Sequence, residues 1–255
     1  MRSGMGLSVG AWRGTSWMPR GRRYAVAALA GTVLSCVAGC VTIELPTIAH
    51  AHVGHAVTAF VDTPDNRPLF DVALADAAVA AEHATYAVEG ARDVAAVRLH
   101  LGHVLHVMDP TREAVGPGSG YGLIKAIDGG ADHLGFAQEV PDASANLAAG
   151  VPAVIAVLQP LRGQARAIAA LAAEGRANDD AATAVVYAQE AQQQTARLVG
   201  ELARARRQLA QVLAAEQPPY RPVARRYLFG IIRLPSGGWA FDTSATGAPV
   251  YGGYR

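Results

Sequence analysis

Apolar residues recur at alternating steps of three and four along most of the chain, the spacing of one helix face. Leu69, Val72, Asp76, Val79, His83 and Tyr86 form one such stripe, which predicts a helix from Pro68 to Glu89, ended by Gly90. Val94, Val97, Leu101, Val104, Leu105 and Met108 form another, over Arg92 to Met108, stopped by Asp109-Pro110. Before these, Thr47 to Val61 reads as a short helix that Thr47 can cap, closed by the turn signal Asp62-Thr63-Pro64-Asp65-Asn66. After them, Leu123 to Glu139 is a helix weakened by Gly129-Gly130. Ala143 to Ala177 is a helical stretch with kinks or breaks expected at Pro152 and Pro160, and Asp180 to Glu216 is the longest helix.

The pattern changes after Pro218-Pro219. Tyr227 to Leu234 and Trp239 to Phe241 read as two strands around the turn Pro235-Ser236-Gly237-Gly238. The expected fold is therefore all-α, a bundle of about five to six helices over residues 49–216, with an irregular or β-hairpin tail over 217–255. The loop from Thr111 to Gly122 is rich in glycine but lacks the Gly-Lys-Ser/Thr ending of a phosphate loop, so it reads as a flexible connection.

Composition sharpens this reading. Hydrophobic residues make up 51 % of the chain and charged residues 17 %, enough for a sizeable core. The formal net charge of +1 gives no pull toward nucleic acid. Both cysteines, Cys36 and Cys40, fall near the N-terminus, so nothing beyond Cys40 can supply a thiolate ligand, a disulfide or a thiol nucleophile. No hydrolase, kinase or dinucleotide fingerprint is present, and a non-enzymatic role is expected. Arg204 to Arg207 and Arg221 to Arg226 read as a solvated, dipole-compatible basic region, with contact to anionic lipid headgroups as the alternative. Tyr220, Tyr227, Trp239, Tyr251 and Tyr254 make the tail a candidate surface for a protein partner.

Residues 1–39 read as a signal peptide, which is tidier if translation starts at Met18 and 1–17 are not made. Arg20, Arg22 and Arg23 precede an uncharged apolar run, Tyr24 to Val37. That run is about 14 residues, short of the ~20 a membrane span requires. Val37-Ala38-Gly39-Cys40 resembles the lipobox of bacterial lipoproteins. The resemblance implies diacylation of the Cys40 thiol, cleavage before it and acylation of the new amine, which together give a stable membrane anchor. It places the protein in the cell envelope facing the periplasm, and Val41 after the cysteine favours the outer membrane over the inner. An ordinary cleaved signal, cut after Ala38 or Ala51, is the alternative. On the lipobox reading, residues 40–48 are a lipidated tether of about 30 Å at most.

All eight histidines lie between residues 50 and 133, although the helices continue far beyond. Imidazole suits copper and zinc. The candidate ligands are His50, His52 and His55 on the first helix, His83 on the second, and His100, His103 and His106 on the third. Adjacent members of the 100/103/106 series are about 60° apart around a helix, so neighbouring pairs can chelate while all three cannot without distortion. A shared site between the first and third helices is the expectation, with His83 able to meet either group. Asp62, Asp76, Glu82 or Asp132 would orient a ring or complete a site, and Met108 would add a soft ligand. His133, alone on its helix, reads as a packed or solvated side chain.

His52-Val53-Gly54-His55 on an Ala-rich helix, with a second histidine-bearing helix behind it, resembles the small histidine-rich periplasmic proteins that form metal-binding four-helix bundles. The resemblance covers residues 50–106, and that family carries many more histidines per residue. It implies binding of copper or another divalent ion in the periplasm without catalysis. Bis-histidine ligation of a b-type haem, making an electron carrier, and a purely structural or assembly lipoprotein with incidental histidines are the other readings of the same residues.

Overall fold

The computed structural model describes residues 41–43, 47–217, 219–220, 225–226, 231–233 and 239–242. The leader, its lipobox, Cys40, Tyr227, Tyr251 and Tyr254 lie outside these residues. After a short strand β1 (Val41–Ile43) come six helices: α1 (Ile48–Val57), α2 (Leu69–Glu89), α3 (Val94–Met108), α4 (Leu123–Glu139), α5 (Ala145–Ala177) and α6 (Ala181–Ala214). Three short strands follow, β2 (Arg225–Arg226), β3 (Ile231–Arg233) and β4 (Trp239–Asp242). They pair antiparallel in sequence order, with Ile231 opposite Phe241 and Arg233 opposite Trp239, the hairpin expected from the turn at Pro235.

Helix boundaries follow local chemistry. Thr47, Asp93, Ser144 and Asp180 each cap a helix by accepting from a backbone N–H in its first turn. The N-terminus of α1 receives a second cap from far along the chain, because Asp142 accepts from Ile48 N at 2.7 Å and Ala49 N at 3.1 Å. α1 stops at Val57 rather than Val61, where the Thr58 N–H bonds back to Gly54 O.

α5 and α6 form the backbone of the bundle. They are joined by three residues, the short connection of a helical hairpin. Their buried positions run Leu147, Val151, Val154, Leu158, Leu161, Ala165, Ile168 and Ala172 on α5, and Ala184, Ala188, Ala191, Thr195, Leu198, Leu202, Ala205 and Leu209 on α6. Alternation of four and three, with Ala169 also buried beside Ile168, gives a narrow seam of the coiled-coil kind, and the alanines let the axes approach closely. α2 packs chiefly on α6 and α3, α3 also on α5, α4 on α5, and α1 on α4. Each fully buried leucine in this core contributes about 2 kcal/mol.

Two expectations are corrected. α5 is one unbroken helix through Pro152 and Pro160. Both prolines are exposed, as are Ala148 and Ala156 four residues before them, so water can serve the carbonyls the prolines leave unpaired. The glycine-rich loop is pinned rather than free: buried Asp76 accepts from Ser119 N at 2.8 Å and Ser119 Oγ at 2.6 Å. Gly118, Gly120 and Gly122 all have φ between +71° and +97°, which allows the loop to wrap that carboxylate.

Candidate metal centres

The bundle brings six of the eight histidines into two groups of three. His52 and His55 project from one face of α1 toward α4, where His133 meets them. His133 Nδ1 lies 3.1 Å from His52 Nδ1 and 3.1 Å from His55 Nδ1. In the second group His100 and His103 project from α3 toward α2, where His83 meets them. His83 Nδ1 lies 3.0 Å from His100 Nδ1 and 3.2 Å from His103 Nδ1. Within each group a ligand nitrogen from every ring falls within 4.8 Å of the other two.

Three Nδ1 atoms converging on one point make poor hydrogen-bonding company. A neutral imidazole nitrogen carries either one N–H or one lone pair, so the central nitrogen can make one good bond and not two. A cation at the point of convergence accepts all three lone pairs at once. Ligand nitrogens 2.0–2.1 Å from a tetrahedral zinc are about 3.3 Å from each other. The two separations to the hub in each group, 3.0–3.2 Å, are close to this value, and the third is within 4.8 Å.

The electrostatics favour the neutral ligand form. Burial, with the neighbouring imidazoles of His55 and His52 acting in the same direction, pushes His133 down to about 4. Burial likewise lowers His52, and lowers His83 and His103 with help from their histidine neighbours. Aromatic rings wall both groups. Phe60 packs against His55 and His133, and Phe136 against His52 and His133. Tyr86 packs against His83 and His100.

The predicted residues divide sharply. His52, His55, His83, His100 and His103 all reach a triad. The shared site expected between α1 and α3 does not form; each of those helices meets a different partner. His50 is drawn off by Glu216: its Nε2 lies 3.0 Å from the Glu216 carboxylate, both side chains are buried, and since a carboxylate only accepts, Nε2 carries the proton. Burial pushes the Glu216 carboxyl up, but hydrogen bonds from Ser144, Asn146 and His50 outweigh it and hold it below the usual range. His106 is drawn off in the same way, with Nδ1 2.7 Å from the Glu113 carbonyl oxygen that must accept from it. Asp76 holds the glycine loop instead of orienting a ring. Asp132 pairs with Arg162, and Glu82 accepts from the Tyr86 hydroxyl. The hub nitrogens lie 3.0–3.2 Å from their partners, so no facing pair of histidines stands apart across a gap for a haem plane within either triad.

His133 is the ligand that the sequence reading missed. A signal for it exists: Asp132-His133-Leu134-Gly135-Phe136 matches Glu82-His83-Ala84-Thr85-Tyr86 as acidic-His-x-x-aromatic. Likewise His52-Val53-Gly54-His55 matches His100-Leu101-Gly102-His103. No family model, curated protein or solved structure matches this chain.

Proposed function

We propose that this protein is a cell-envelope metal-binding lipoprotein that holds copper or zinc at its histidine triads and buffers the ion or hands it on. The observation that carries the reading is the convergence of three imidazole nitrogens at each of two places. All-nitrogen ligation disfavours magnesium and calcium, which take oxygen, and suits copper and zinc. Three protein ligands leave a fourth position on a tetrahedral ion. An acceptor's ligand can enter there, which is what transfer requires. The acidic groups next to the triads are engaged elsewhere, Glu82 with Tyr86 and Asp132 with Arg162, so neither is poised as the base of a hydrolytic site. The lipobox supports a membrane anchor at Cys40, which would keep α1 within about 30 Å of the bilayer.

The test is a titration of the full chain, purified in detergent and stripped with a chelator. Zinc and copper are expected to bind stoichiometrically with dissociation constants below micromolar, and His52→Ala with His103→Ala together to abolish this. Cys40→Ser is expected to release the chain from the membrane fraction with its metal capacity intact. Absence of sub-micromolar binding sinks the metal reading and leaves a structural lipoprotein with packed histidines.

A further inference from the structure

The two triads share more than their ligand count. In each, two ligands come from a His-x-Gly-His segment and the third from an acidic-His-x-x-aromatic segment. The third histidine is the hub both times, its Nδ1 touching both partners. Ring by ring the geometry repeats. His52 lies 5.4 Å and 30° from His133, and His100 lies 5.2 Å and 32° from His83. His55 lies 4.3 Å and 75° from His133, and His103 lies 4.6 Å and 83° from His83. Within the pairs, His52 and His55 are 5.9 Å apart, and His100 and His103 are 5.7 Å apart. The aromatic follows suit: Phe136 lies 5.3 Å and 56° from His52, and Tyr86 lies 5.4 Å and 56° from His100.

The order along the chain is informative. His-x-Gly-His on α1 is followed by acidic-His-x-x-aromatic on α2, and the same two segments recur on α3 and α4. His133 follows His100 at nearly the spacing at which His83 follows His52. Neither unit closes a site of its own. The histidine pair of the first unit meets the hub of the second, and the pair of the second meets the hub of the first.

We infer that the triads are one metal site built twice by a repeated helix pair whose halves are exchanged, so the chain takes two ions of the same kind in the same coordination. This rests on the metal reading above and adds number, equivalence and ligand sharing to it. Equal ligand atoms, equal hub geometry and an equally placed aromatic ring give the two ions the same coordination, while Phe60 packs only on the His55–His133 side of the first site. Because of the exchange, each repeat gives two nitrogens to one ion and one to the other.

Cobalt(II) reads coordination directly through its visible absorption, and elemental analysis counts ions. The full chain is expected to bind two cobalt or two zinc ions, with one visible band that grows linearly to two equivalents. His133→Ala and His83→Ala should each keep one ion and about half the absorbance, with the band at an unchanged wavelength. The double variant should bind none. Saturation of the unmodified chain at one ion, or different spectra from the two single variants, overturns equivalence while leaving a metal protein. Loss of both ions from either folded single variant overturns the pairing of ligands. No ion bound to the unmodified chain overturns the metal reading itself. The count and spectrum of the unmodified chain decide the case even where a variant fails to fold.

Discussion

One residue type does two jobs here, and the neighbour decides which. His50 and His106 each meet an oxygen that only accepts, and become hydrogen-bond donors. The other six meet each other, and each hub Nδ1 has more partners than one nitrogen can satisfy. His133 shows the consequence most clearly. Its folded value of about 4 lies below the ordinary 6.5, so between those values the unfolded chain binds a proton that the folded chain refuses. The apo protein is therefore expected to gain stability as pH rises from about 4 to 6.5 and to keep that contribution above 6.5. His52, His83 and His103 are shifted in the same direction and add to the slope. Urea unfolding at pH 4.5 and pH 7 checks this. His133→Gln, which cannot titrate, should flatten the dependence; an unchanged slope would show that His133 is not its source. The sequence revealed the zone of this chemistry through the crowding of histidines before residue 133. It could not reveal which nitrogen meets which, because spacing along one helix fixes only neighbours on that helix. The partner of His52 lies on a helix 81 residues away and is chosen by packing.

At the scale of elements, the helices were legible where periodicity and caps coincide. α4 runs over Leu123–Glu139 as the pattern predicts, and α2 and α3 differ by a residue or two at their starts. α5 was misread because a proline's cost depends on which way it faces, and sequence alone does not show that. The same helix offers two substitutions of opposite sign. Pro152→Ala restores a donor on an exposed face and is expected to stabilise by about 1 kcal/mol, less than the ~3 kcal/mol difference in helix propensity because water already serves the freed carbonyl. Gly175→Ala ordinarily stabilises a helix. Here the added Cβ would sit 2.6 Å from Leu101 Cδ1 and 2.7 Å from Tyr187 Cβ, where α5, α3 and α6 crowd together. Such overpacking costs about 1–3 kcal/mol, so this variant should melt lower. Denaturant midpoints of the two variants beside the parent decide both, and a gain in Gly175→Ala would mean that the three helices can spread.

For the whole molecule, the two centres differ in what they hold together. The α2–α3 site joins helices that already pack against each other and against the α5–α6 pair. The other site joins α4 to α1, which has ten residues and is too short to be stable by itself in water. Besides its packing on α4, α1 is held by the Asp142 cap, the buried His50–Glu216 pair and the Thr58–Tyr220 hydrogen bond. A metal at His52, His55 and His133 adds a cross-link that exists only when the ion is bound. If α1 opens locally, an ion at 100 times its dissociation constant opposes that opening by about 2.7 kcal/mol, or roughly 100-fold in the opening equilibrium. Amide exchange over α1 is therefore expected to slow by up to that factor on adding zinc, while the α5–α6 core changes little. His133→Ala should remove the protection from α1, and His83→Ala should leave it in place. Equal slowing across all six helices would instead mean that α1 opens only with the whole bundle. On the proposed anchor at Cys40, α1 is the first helix after the tether along the chain, so slower opening of α1 on loading is the effect an ion at this centre is expected to have there.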